Sequence, residues 1–158
     1  MNQAKIVVGI SGSAASSAAL RWAAAEGRLR GANVEAVYAW EWSGGLHAPY
    51  APLAGRSSRE DERGAAAEMA RLVVDELGED HVEPAVVEGS PARVLLHAAA
   101  DADLLVLGAD EAAAEPYPVI NPIVAACLLR AHCPVVVVLP GMLHGRRSVG
   151  GMLAGTVS

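Results

Sequence analysis

The chain has 158 residues, 53% of them hydrophobic and 19% charged, with a formal net charge of −6. That is the length of one domain with enough apolar side chains to bury a core, so disorder is excluded as its main state. Recurrent Gly and Pro argue against a coiled coil, and the negative charge argues against a nucleic-acid binder, which needs a basic stripe.

In chain order, Lys5 to Ile10 (KIVVGI) reads as a buried strand. Ser16 to Arg30 reads as a helix, with Ala19, Leu20, Ala23, Ala24 and Leu29 assigned to its apolar face and Gly31 as C-terminal cap. Val34 to Trp40 is a second strand, and residues 43–57, rich in Gly, Pro and Ala, form a loop. Ser58 and Asp61 resemble a capping box opening a helix to Leu77, which stops at Gly78. Val82 to Val87 is the third strand. Ser90-Pro91 starts a helix that ends near Ala100. Asp103 to Leu107 is the fourth strand. A loop with Pro116, Pro118 and Pro122 leads into a helix to about Arg130, and Pro134 to Leu139 is the fifth strand.

Short apolar strands alternating with helices predict an α/β fold: a doubly wound, five-stranded parallel sheet covered by helices on both faces. Ligands of such Rossmann-like sheets sit at the C-terminal ends of the strands, where the strand order reverses. The loops after strands one, two and four are therefore the place to look.

Those loops carry a resemblance. Val7 to Ser13 followed by Ser16 to Ala23, Val86 to Ala92, Ala102 to Gly108 and Ala131 to Val138 together resemble universal stress protein domains, in register and in the same element order. The resemblance covers about residues 4–139 and assigns 1–140 to one such domain, leaving 141–158 as a Gly-rich tail. It implies an adenine-nucleotide-binding-type (alpha-hydrolase-like) fold, often a homodimer. It also implies nucleotide-site positions at Gly9, Ile10, Ser11, Ala39, Leu107, Gly108, Glu111, Asn121 and Pro122.

Many members of that family bind ATP through a loop of the form Gly-x-x-Gly, nine residues, then Gly and Ser or Thr. Its glycines let backbone N–H groups approach phosphate oxygens. Here Gly108 fills the first position, but Glu111 and Asn121 replace the next two glycines and Pro122 replaces the hydroxyl residue. Ser11 stands where the family usually has an Asp that helps hold the adenosine. Pro122 has no N–H to donate. Asp110, Glu111 and Glu115 put three carboxylates into the same loop. Each unit-charge repulsion at ~4 Å costs on the order of 1 kcal/mol in water and about 4 kcal/mol at an effective dielectric of 20. Several exceed the ~0.3–1 kcal/mol that a helix dipole offers an anion. No cofactor is expected; ATP or AMP with Mg²⁺ is the alternative.

In the tail, Gly145 is followed after nine residues by Gly155-Thr156, with Arg146 and Arg147 between them. Gly141 stands four before Gly145, one residue off the family spacing. Three readings stay open: a flexible terminus, an arm packed on this subunit or a partner, and a phosphate loop supplied in cis or across a dimer.

Cys127 and Cys133 do not make a disulfide framework and read as small buried hydrophobes. None of His47, His81, His97, His132 and His144 stands at metal-ligand spacing, so no metal site is expected. Ser11-Gly12-Ser13 turns strand into helix with a hydroxyl cap, and no catalytic triad surrounds it. Trp40 and Trp42 flank the adenine region by analogy with the family, or pack under the long loop; Tyr50 and its surroundings form a lid or a partner surface. The apolar fifth strand (134–139) is an edge suited to pairing with a second copy. The N-terminus shows no signal peptide and no stretch is long enough to span a membrane, so the cytoplasm is expected. The Ala-rich composition with a single lysine, Lys5, points to a GC-rich bacterial genome.

The leading expectation is thus a homodimeric binding or interaction module in stress physiology that lacks conventional ATP binding. A nucleotide-binding regulator using the degenerate loop or the tail is the second, and a slow nucleotide hydrolase the third.

Overall fold

The computed structural model of the chain describes residues 3–44, 58–110 and 120–143. Five strands, β1 (Lys5–Gly9), β2 (Asn33–Trp40), β3 (Val82–Glu88), β4 (Leu104–Gly108) and β5 (Val135–Val138), alternate with four helices. The helices are α1 (Ala14–Arg30), α2 (Arg59–Leu77), α3 (Pro91–Ala98) and α4 (Pro122–Arg130), with 3₁₀ turns at Ala99–Asp101 and Pro140–Leu143. All strand pairs are parallel, in the order β3-β2-β1-β4-β5.

The pleat decides which helices cover which face. Ile6, Val8, Val34, Ala36 and Val106 lie on one side with Ala19, Ala23 and Ala24 of α1 and Ala70 and Val74 of α2. Val7, Val37, Leu105 and Leu107 lie on the other with Val94 and Leu95 of α3 and Val124 and Cys127 of α4. The doubly wound sheet expected from the strand and helix pattern is the one observed.

The caps explain the element ends. Ser58 Oγ accepts the Asp61 N–H while the Asp61 carboxylate takes the Ser58 N–H, a complete capping box. Gly31 and Gly78 close α1 and α2 in the left-handed region, at φ +62° and +69°. Ser90 and Pro91 do open α3, but the Ser90 hydroxyl makes no capping bond.

One side chain assigned to the core is not there. Leu29 is 82% exposed. It stands nine residues from the buried Leu20, about 180° round the helix. The buried stripe continues instead through Gly27, where an added Cβ would lie 2.6 Å from Val34 Cγ2.

Candidate functional site

The strand order reverses between β1 and β4, because α3 crosses back beneath the sheet after β3. At the C-terminal ends of these strands lies a pocket of about 580 Å³. That falls within the ~300–1,000 Å³ typical of small-molecule sites. Gly9, Ile10 and Ser11 after β1, Ala39 on β2, Leu107 and Gly108 on β4, and Asn121 before α4 all line it. Pro122 does not line it and is exposed. Glu111, Glu115, Tyr50, His47, His144 and the tail positions Gly145, Gly155 and Thr156 lie outside the described residues.

The turn from β1 into α1 is held by its own hydroxyls. Gly12 takes φ +80°, and Ser13 caps α1 by accepting the Ser16 N–H at 3.1 Å. Ser16, only 5% exposed, accepts the Ser11 N–H at 2.8 Å. Ser11 Oγ donates to Ser13 Oγ at 3.1 Å. The Ser17 N–H goes to the Ser13 carbonyl.

The start of α4 is closed in the same way. Asn121 Oδ1 accepts the Ile123 N–H at 2.8 Å, and the Ala125 N–H returns to the Asn121 carbonyl. Pro122 stands in the first turn and offers no N–H. Where the family's phosphate loop has Gly and Ser or Thr, this chain has an Asn-Pro helix start in which one donor, the Ile123 N–H, is taken by the Asn121 side chain and another is missing at Pro122.

Gly108 has a steric reason of its own. A Cβ there would lie 2.3 Å from the Ala15 carbonyl oxygen and 2.8 Å from the Ser16 nitrogen, both backbone atoms. α1 therefore rests directly on the end of β4.

Among the described lining residues Asp110 is the one carboxylate, and there is no Lys or Arg. The apolar wall is made by Val37, Leu95, Leu107, Ile123 and Val124. Pro91 and Leu95 escaped the sequence reading; the signal was the topology, since the β3-to-β4 crossover must pass under the reversal point.

Trp40 and Trp42, at and just after the end of β2, stand apart from the described lining of the pocket. Trp40 is buried, and Trp42 is half-exposed with the Arg59 guanidinium 5.8 Å from its ring centroid. Neither is among the residues lining the pocket. Arg59 also forks onto Glu88, and Ser43 binds Glu62, so the chain just after β2 is tied to α2.

The cysteines do not form a disulfide, and burial pushes both thiols up. Cys127 is fully buried and Cys133 partly so. His81 Nε2 lies 2.8 Å from the Ala24 carbonyl oxygen, while His97 and His132 are exposed. No group of three metal-ligating side chains occurs among the described residues. Nor is any described helix long and apolar enough to cross a membrane.

A five-stranded parallel sheet with a crevice at its reversal point defines a doubly wound α/β protein with a nucleotide-binding-like fold. The profile of the Universal stress protein family matches residues 3–138, and the chain belongs to that family. A universal stress protein from Mycolicibacterium smegmatis is 35% identical over 111 residues, 65% of this chain and 37% of the relative, so the chain spans little more than a third of that protein. Among solved structures, a universal stress protein in complex with cAMP is 19% identical with a TM-score of 0.60, covering 89% of this chain and 99% of that one. One from Archaeoglobus fulgidus in complex with dAMP is 23% identical, also at 0.60, covering 87% and 98%.

Proposed function

We propose that this chain is a homodimeric binding module of the universal stress protein family that does not hold ATP in the conventional way. The observation that carries the reading is the start of α4. Asn121 and Pro122 occupy the phosphate-loop positions, and one has consumed a helix donor while the other lacks it. The carboxylate of Asp110 at the same pocket adds repulsion. The dimer would form through β5, which lies at the sheet edge.

Titration calorimetry with ATP and Mg²⁺ tests this: no binding in the micromolar range is expected, and micromolar affinity would overturn it. The triple variant Glu111→Gly, Asn121→Gly, Pro122→Ser should create or raise ATP affinity, by about tenfold for each 1.4 kcal/mol of restored interaction.

A second reading is a regulator that binds an adenine monophosphate. It is favoured by the structural relatives solved with cAMP and dAMP and by the pocket at the C-terminal ends of this chain's strands. Native mass spectrometry of the purified protein would reveal a bound monophosphate as a discrete mass increment.

A further inference from the structure

The sheet has two edge strands, β3 and β5, and only β3 carries a proline. Pro84 stands near the middle of that strand, in register with Ala36 of β2. The ladder fixes which way its backbone faces. The Val34 N–H goes to the His81 carbonyl and the Gly89 N–H goes to the Trp40 carbonyl, so the odd-numbered positions turn toward β2. By alternation Val82, Pro84, Val86 and Glu88 turn their backbone away from the sheet. Pro84, an exposed residue, thus withholds an outward donor and sets its ring where a facing strand would come. The neighbouring outward donor, the Val82 N–H, is spent on the Glu79 carbonyl.

We infer that Pro84 closes the β3 edge to a second copy of this chain, so that strand pairing between copies runs only through β5 and stops at two. The limit of two rests on the β5 dimer proposed above; the closure of β3 stands without it. A second β3 is the occupant this edge would otherwise suit. The strand is rich in β-branched side chains, Val82, Val86 and Val87. Two such strands meeting antiparallel about Ala85 would set Pro84 opposite Val86, Val82 opposite Glu88 and Glu83 opposite Val87, so that no like charges face each other. What such a pair lacks is donors. In each copy Pro84 has none, and that of Val82 is already committed. β5 turns Val135 and Val137 outward instead, with an N–H on each.

The test is sedimentation velocity over a concentration series on the whole chain, with Pro84→Thr, which restores the donor on a residue suited to strands. The variant should add a species of about twice the parent's mass or more, growing with concentration, because two open edges no longer close the assembly. The amide of Val86 should gain protection from exchange as that species grows. Combined with Val137→Pro, the variant should still reach about twice the mass of Val137→Pro alone, which places the new contact at β3. A parent that sediments as a monomer removes the β5 dimer and leaves the closure of β3 to be decided by the same comparison. The parent's mass at every concentration overturns the inference, and so does a rise in mass without protection of Val86, which is unspecific aggregation. Pro84→Ala restores the same donor and should act in the same direction if the threonine variant loses its circular dichroism spectrum. Failure of both variants to fold assigns Pro84 to the stability of β3 and also overturns the inference.

Discussion

At the scale of single residues, small side chains at contact points carry much of the fold. Ser16→Ala would remove the buried hydroxyl that accepts the Ser11 N–H of the exposed turn between β1 and α1, a net loss of about 0.5–1.5 kcal/mol. Urea unfolding would read this as a lower midpoint at unchanged slope. Gly108→Ala sets a new carbon against the Ala15 backbone, which cannot swing aside as a side chain could, so overpacking of about 1–3 kcal/mol and a clear fall in Tm are expected. Lys5 and Asp101 make a pH-dependent tie 3.0 Å long between the start of β1 and the turn after α3. Burial lowers the Lys5 pKa, but the bonds to Asp101 and Glu35 outweigh it and raise it overall. The hydrogen bond from Lys5 pulls the Asp101 carboxyl down. The depressed carboxyl contributes above its unfolded value, and that contribution is lost as pH falls through its folded value. The raised ammonium contributes below its unfolded value, and that contribution is lost as pH rises through its folded value. Thermal melts of Asp101→Asn against pH should therefore differ from the parent through the neutral range and converge in acid and in strong alkali.

At the scale of elements, the sequence was legible where backbone rules are local. Strand and helix ends fall within one or two residues of expectation because Ser13, Ser58, Gly31 and Gly78 do at the termini what their types favour. Removing the Ser58 hydroxyl (Ser58→Ala) should cost about 0.5–2 kcal/mol, visible as faster amide exchange in the first turn of α2. Legibility failed where the answer depended on distant partners. Leu29 was misplaced because apolar character was read without its angular position, and the true stripe hides in a glycine. Trp40 and Trp42 carry no mark in the sequence that says whether they line the pocket; their place outside its described lining was visible only in the fold. At Asn121 and Pro122 the substitutions were readable, whereas their use as a helix start with bonded donors was visible only once α4 was placed.

At the scale of the molecule, the reversal of strand order does two things at once. It opens the pocket between β1 and β4, and it leaves β5 at the sheet edge. The carbonyls of Pro134 and Val138 accept from β4, so by alternation the backbone groups of Val135 and Val137 point outward. Val137→Pro removes one outward donor without touching the β4 ladder, and proline is tolerated at edges. If the homodimer pairs through this strand, sedimentation should show the variant as a monomer with an unchanged circular dichroism spectrum; a persisting dimer would place the contact elsewhere.

The close approach of α1 to the end of β4 bears on how ancestry is read from motifs. Gly108 is the one glycine of the phosphate pattern that this chain keeps, and it is also the one that the packing of α1 demands. A lineage could abandon its ligand and still find every replacement at this position disfavoured for destabilising the fold. A library randomised at position 108 and selected for solubility alone, with no ligand supplied, should return glycine. The glycine at 108 then counts as testimony to the scaffold, and only the positions that folding leaves free can testify to the chemistry.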